Sequence, residues 1–364
     1  MKFSLKNSCL AIALSAVSAT TALADNIVFG SYLPSAHPIP TALGEYFERL
    51  QAAGADVSVD FQSGGALVSA KGTLSSIADG IVDGATLVDI YTPAELAPST
   101  VLSGLALLGE DNRVMAAAMS ETVLKNCPQC AASEEAAGVK TVAIGSIPPY
   151  KLLCSTPVTS LDDLKGKRVR ASGAWSAWIE AAGAVPVNIS SAEIFEGLQR
   201  GQIECTVGAV SWLNSYSLID VVTDVTDMPM GTFHGSYLLV FNSDTWDGYD
   251  DATRAAIEGE APFLIRRMTE LYNAEEEAAK TAADEKGITF HAPADDLVER
   301  FATYKQDELT RVVAMGEERG VSDTATLVEA FTTSIAKWQD IVGQAQDDPA
   351  AFEDALNREI YAVD

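Results

Sequence analysis

Between residues 26 and 207 the apolar pattern switches repeatedly between a period of two and a period near 3.6, and that switching restricts the fold more than any other feature. Residues 26–32 read as a strand. Leu43, Tyr46, Phe47 and Leu50 then fall at i, i+3, i+4 and i+7, one face of a helix stopped by Gly54. Val57, Val59 and Phe61 alternate as a second strand, Leu74, Ile77 and Ile81 mark a second helix, and 85–91 form a third, more continuously apolar strand. Strand, helix, strand, helix, strand predicts a parallel sheet with helices on both faces.

The alternation then restarts. Asp111 suits the N-cap of an alanine-rich helix, 140–147 return to strand, and Pro148 and Pro149 punctuate a crossover into a second unit. That unit has a strand over 168–171, helices over 175–182 and 192–200, the latter closed by Gly201, and a strand over 203–207. Residues 237–241 add another strand. Pro262 sits in the first turn of a helix that runs to Lys286 and is stopped by Gly287. At ~1.5 Å per residue it reaches roughly 37 Å, enough to brace two domains. A short strand over 288–291 and helices near 297–318, 325–342 and 350–360 follow. The predicted fold is therefore α/β, two tandem units with a long helix and a helical carboxyl-terminal third.

The first 24 residues are set aside from the fold. Lys2 and Lys6 precede an apolar run from Leu10 to Val17, and Ala22 and Ala24 bound an Ala-Leu-Ala cleavage site, the pattern of a secretory signal that carries Cys9 away with it. No later stretch of roughly 20 residues is free of charge, so the mature chain from about Asp25 is expected to be exported, with no membrane insertion. The full chain has 24 Lys+Arg against 51 Asp+Glu, a formal charge of -27. Loss of Lys2 and Lys6, with no acid removed, brings it to -29. That field argues against nucleic acid or an anionic membrane as partner and suits a monomer with a self-repelling surface. An anionic ligand would need a local, well-placed cation.

Four cysteines remain: Cys127, Cys130, Cys154 and Cys205. The CPQC pair invites comparison with thioredoxin-type motifs, but it follows the helical run from Asn112 to Leu124, so a local disulfide of Cys127 with Cys130 is favoured over redox catalysis. No second pair or nearby histidine completes a zinc site. There is no G-x-S-x-G, Walker loop, G-x-G-x-x-G or H-E-x-x-H, and His37, His234 and His291 are widely separated. No motif implies a cofactor or metal, and enzymatic function has little support. The rival reading is an exported enzyme, a thiol oxidoreductase through Cys127 and Cys130 or a hydrolase.

The informative segment is SLDDLKGKRVRASGAW, Ser160 to Trp175. A short strand puts Arg168 and Arg170 on one face, with Arg170 at its carboxyl end, where open α/β sheets bind ligands. A guanidinium there is a planar fork matched to a carboxylate. Leu164, Lys165, Gly166, Arg168, Val169 and Arg170 resemble, in register, the L-K-G-x-K-[IL]-R-V-P motif of the solute-binding proteins of tripartite ATP-independent periplasmic (TRAP) transporters. His37-Pro38, GIVDGATL before the third strand, GAVPV and AEIFEGLQRGQIEC extend the resemblance along the chain.

The resemblance implies a periplasmic binding protein fold: two α/β domains joined by cross-over strands and the long helix, closing on a ligand. It implies domain I over 25–148 and 237–276, and domain II over 149–236 and 277–364. It implies periplasmic capture of a small organic acid, with Arg170 on the carboxylate, delivery to TRAP membrane permease subunits, and no enzymatic activity. Two departures bear on the substrate. Tyr150, followed by Lys151, stands where many relatives carry a second arginine, and Gly208 where relatives commonly place an asparagine. A diacid or sugar acid is disfavoured on that ground; Trp212, Trp175, Tyr216 and Tyr91 nearby suit a flat or partly apolar monocarboxylate. Asp89 aligns with a cleft position of the family and, if it faces inward, admits a zwitterion or a hydroxyl-bearing ligand. His37 completes the expected ligand-binding set. A receptor that presents its ligand to a signalling partner is not distinguished from transport.

Overall fold

The computed structural model describes residues 25–53 and 57–362. The expected leader, Cys9 and the Gly54 helix stop lie outside the described residues. Two sheets form. The first has the order β2-β1-β3-β10-β4, built from β1 (Asp25–Gly30), β2 (Val57–Gln62), β3 (Gly84–Val88), β4 (Val139–Gly145) and β10 (Ser236–Asn242). The second has the order β11-β9-β5-β8-β6-β7, from β5 (Lys151–Cys154), β6 (Arg168–Arg170), β7 (Val185–Val187), β8 (Cys205–Gly208), β9 (Asp224–Thr226) and β11 (Thr289–His291). β1 pairs in parallel with β2 and β3, and β6 with β7 and β8, as the strand-helix alternation predicts. β10 runs antiparallel between β3 and β4, and β5 antiparallel between β8 and β9.

The chain passes between the sheets three times, twice in extended crossings and once along the long helix that leads from β10 to β11. After β4 it crosses through Pro148 and Pro149 to β5, and after β9 it returns to β10. The two crossings run side by side, bonded by Ile147 N–H to Phe233 O, Tyr150 N–H to Gly231 O and Met230 N–H to Tyr150 O, at 2.8 Å each. Gly231 has φ +89°, and a Cβ there would lie 2.1 Å from Ala106 O, so only glycine lets the return crossing approach the first lobe this closely.

Helix Pro38–Ala52 buries Leu43, Tyr46, Phe47 and Leu50 as their spacing predicts. Helix Thr73–Ala78 buries Leu74 and Ile77, but Ile81 is 64% exposed. Gly80, at φ +67°, turns the chain away before Ile81 could complete that face. The third strand is shorter than the apolar run of 85–91: β3 stops at Val88 and Asp89–Tyr91 form a single 3-10 turn.

Helix Ala261–Lys286 spans 26 residues, with Pro262 in its first turn and Gly287 at φ +78° ending it. It packs on helix Pro38–Ala52 and β4 of the first lobe and on helix Trp212–Ser215 of the second, so it bridges both. The stretch 277–364, assigned from sequence to the second domain, is divided by its contacts. β11 joins the second sheet and helix Asp295–Gln306 packs on Ala174–Ala181. Helices Glu308–Glu318 and Thr324–Ala345 pack instead on Ala97–Ser103 and Asn112–Glu121 of the first lobe. Glu121 organises that contact, accepting from Trp338 Nε1 and Ser334 Oγ at 2.7 Å each and pairing with Lys337. Among the described residues no helix is long and apolar enough to cross a membrane.

Two disulfides form, Cys127–Cys130 and Cys154–Cys205. Cys127 caps helix Pro128–Ala136, so CPQC does open a helix, contrary to the reading that it only follows one. Both cysteines are nonetheless buried, which denies the pair the exposed thiolate that exchange chemistry needs. Cys154 and Cys205 sit directly opposite each other on β5 and β8. That link holds the register that brings the far ends of these strands together.

Candidate functional site

In the second sheet, β6 and β8 point their carboxyl ends at the first lobe, and antiparallel β5 starts from the same side, with Lys151 opposite Gly208. Arg170 (end of β6), Gly208 (end of β8) and Tyr150 (before β5) are thereby gathered at one edge. Facing them from the first lobe are the turn after β3, with Ile90 and Tyr91, and the loop between β1 and the first helix, with Tyr32 and His37. Together these walls enclose a narrow cavity of about 30 Å³, room for little more than a water molecule while the lobes stand this close.

Arg170 is 2% exposed and lies on the wall of this cavity. Its Nε donates to Ile189 O at 3.1 Å and one Nη to Tyr91 Oη at 3.4 Å, and its guanidinium carbon lies 5.8 Å from the Trp212 ring centroid. Among the described residues it has no ion-pair partner and no hydrogen bond from Nη1. Arg168, two residues earlier on the same face, is directed to the other end of the strand, where it donates to Gly201 O at 2.8 Å and faces Glu204 at 3.6 Å. Lys151 likewise turns outward to pair with Asp227.

Tyr91 links the lobes. Its hydroxyl accepts from Ser191 N–H at 3.0 Å as well as from Arg170, both groups of the second lobe. Ser191 Oγ accepts from Tyr216 Oη at 3.0 Å. Tyr150 stacks on Trp175 at 4.5 Å between centroids and meets Trp212 edge-on at 5.1 Å. Burial pushes the hydroxyl pKa values of Tyr32, Tyr150, Tyr216 and Tyr272 above the ordinary phenol range, so these phenols stay protonated.

The other expected site residues divide. His37 and Trp212 line the cavity with Tyr150 and Arg170. Gly208 does not leave open space for a ligand: a Cβ there would stand 2.2 Å from the Trp212 ring, so the glycine seats that ring against the sheet. Trp175 is one layer back, behind Tyr150, its Nε1 donating to Met230 O at 2.8 Å. Asp89 faces away from the cavity. It is fully buried, accepts from Ser103 Oγ, and lies against Gly235, where a Cβ would come within 2.2 Å of its Oδ1. Burial raises its pKa to about 7, so it supplies no cleft carboxylate for a ligand cation.

Tyr32, Ser191, Ser236 and Tyr272 also line the cavity and were not singled out by sequence. Tyr272 carried a signal only as part of the bracing helix; Ser191 and Tyr32 had none, because long-range pairing places them. Among the described residues, Trp212 Nε1 and Ser236 Oγ are buried without a hydrogen-bond partner.

A larger crevice of about 270 Å³ lies on the other side of Ile90 and Gly173, lined by Tyr304, Glu308, Arg311, Met315 and Arg319. Of its two arginines, Arg311 is already stacked on Tyr304 at 3.7 Å and bonded to Tyr304 O at 2.7 Å, and Arg319 is exposed to solvent. Glu308 accepts from Leu107 N–H at 2.9 Å, and burial raises its pKa to about 8. The smaller cavity, with a buried cation whose donors are incompletely used, is the stronger candidate for binding.

Comparison with known proteins agrees with this architecture. Residues 29–312 match the model of the DctP family, bacterial extracellular solute-binding protein, family 7. The chain is 28% identical over 200 residues to the outer membrane transporter protein TsaT of Comamonas testosteroni, covering 54% of this chain and 59% of that protein. It is 26% identical over 187 residues to the C4-dicarboxylate-binding periplasmic protein DctP of Rhodobacter capsulatus, covering 50% and 54%. The matched stretch thus spans only a little over half the length of these curated relatives. Among solved structures, a marine metagenome TRAP solute-binding protein specific for aromatic acid ligands, from an unidentified microbe and in complex with 3-hydroxybenzoate, superposes with a TM-score of 0.77 at 19% identity, covering 87% of this chain and 99% of that one. The matched family is one of solute-binding proteins rather than enzymes, and the oxidoreductase and hydrolase readings fall away. The chain belongs to family 7 of the bacterial extracellular solute-binding proteins, the DctP-like receptors of TRAP transporters.

Proposed function

We propose that the chain is a periplasmic receptor that captures a small ring-bearing monocarboxylate between its lobes and hands it to TRAP membrane permease subunits. The observation that carries this reading is Arg170, a buried guanidinium with no ion-pair partner and Nη1 unused among the described residues, on the wall of a cavity lined by aromatic rings with aliphatic and serine side chains between them. A buried cation without a partner is costly, and a ligand carboxylate supplies charge and a matched fork at once. One cation suits one carboxylate. Lys151 pairs outside the cavity and Asp89 faces elsewhere, which disfavours both dicarboxylates and zwitterions. The rings offer flat apolar contact to the remainder of the molecule.

Thermal-shift screening against aromatic acids, aliphatic monocarboxylates, dicarboxylates, sugar acids and amino acids tests the assignment. Ligand at a hundred times its Kd adds about 2.7 kcal/mol to stability. Ring monocarboxylates should give the largest shifts; a dicarboxylate or an amino acid giving the largest shift would overturn the substrate class.

A further inference from the structure

The wall of the cavity opposite Arg170 has a hydrogen-bond polarity of its own. His37 caps helix Pro38–Ala52, its Nδ1 accepting from Ile39 N–H at 3.3 Å. Its Nε2 lies 3.2 Å from Tyr272 Oη. A ring nitrogen that accepts from a backbone N–H carries no proton, so in the neutral imidazole the one proton is on Nε2. Full burial lowers the His37 pKa to about 3, which keeps the ring neutral at any ordinary pH. Nε2–H therefore donates and Tyr272 Oη accepts. The phenol's own proton is left pointing to something else, and among the described residues Tyr272 Oη has no other hydrogen-bond partner. Tyr272 is fully buried and borders the cavity.

His37 meets Tyr216 edge-on at 5.4 Å, Tyr216 meets Trp212 edge-on at 5.4 Å, and Trp212 lies beside Arg170. Rings thus separate the two polar ends, one a cation and the other a donor whose orientation is set by the helix cap behind it. We propose that Tyr272, positioned by His37, is a specificity-determining donor, so that the acid held by Arg170 carries a second hydrogen-bond acceptor remote from its carboxylate. This rests on the reading of Arg170 as the carboxylate anchor. An acid lacking that acceptor leaves a buried hydroxyl proton unmatched, which weakens its binding on the order of tenfold.

Calorimetry with benzoate, nicotinate, isonicotinate, 3-hydroxybenzoate and 4-hydroxybenzoate separates the possibilities, because the pyridine acids match benzoate in shape and add only an acceptor. At least one acceptor-bearing acid should bind about tenfold tighter than benzoate. In Tyr272→Phe that advantage should fall to within about twofold, the acceptor-bearing acid losing its donor and benzoate no longer leaving a hydroxyl proton unmatched. A His37→Asn variant, whose shorter side chain still caps the helix but does not reach Tyr272, should lose part of the advantage. Equal binding of benzoate and all four others by the wild-type protein would overturn the role of Tyr272 alone. So would an advantage that survives Tyr272→Phe, or a uniform loss for every acid. Failure of all five acids to bind the wild-type protein would overturn the Arg170 reading and this one with it.

Discussion

The two interior spaces beside Ile90 are instructive as a pair. The larger, near Glu308, holds an acid that burial keeps protonated and an arginine already occupied by Tyr304. The smaller, near Arg170, holds a cation with no ion-pair partner and donors with no acceptor among the described residues. Burial acts on both: the first keeps, among the described residues, an unpartnered Glu308 Oε2 and an exposed Arg319, whereas the second holds a fully buried cation, for which a missing partner costs far more and a solute carboxylate supplies it. Unused valence in an enclosed space, rather than volume, marks the binding site.

The widest contrast should come from substituting the charged group on each side. Arg170→Lys keeps the charge but loses the fork, and should weaken carboxylate binding at least 100-fold by calorimetry, whereas Glu308→Gln should leave that affinity within twofold. A comparable loss from both would erase the distinction.

The second test uses pH. In the unfolded chain the Glu308 and Asp89 carboxyls titrate near 4; burial raises them in the folded protein to about 8 and about 7. The folded state therefore binds these protons more tightly. Their contribution to stability is complete below about pH 4 and is lost as pH rises through about 7 to 8. Glu308→Gln retains an acceptor for Leu107 N–H and should flatten the fall in urea midpoint between pH 5 and 8, with a relative gain over wild type at pH 8. An unchanged pH profile would mean that Glu308 is not held protonated.

The smallest effect is expected where the lobes touch. Tyr91→Phe removes the acceptor shared by Ser191 N–H and Arg170, and should weaken ligand binding by roughly 1 kcal/mol, a several-fold change, mainly through faster release measured by stopped flow. No change in release would mean that this bridge does not help hold the lobes together.

Much of the fold was legible in the sequence because period reports local facing. The alternation at Val57, Val59 and Phe61, the helical stripe from Leu43 to Leu50, and Pro262 with Gly287 at the ends of the long helix each match an observed element. Arg170 was legible because a strand's carboxyl end in such a sheet is a general place for ligands. Period does not report which distant group faces a side chain. Asp89 follows a strand buried on both faces, so its pattern carried no direction, and only Ser103 and Gly235 reveal where it turns. Gly208 stood out only as a departure from the family's asparagine, and Trp212, four residues on, is what fills the space beside it. The role of His37 depends on Tyr272, 235 residues away. The helices after 307 read correctly as helices, but Glu121 and its partners decide which lobe they cover.

The most direct measurement is a crystal structure of the protein with the tightest acid found by screening. The account predicts the carboxylate within hydrogen-bond distance of Arg170 Nη1, enclosed by Tyr91, Tyr150 and Trp212. A carboxylate bound elsewhere, in the crevice beside Glu308 and Arg311 for example, with Arg170 unengaged, would contradict it.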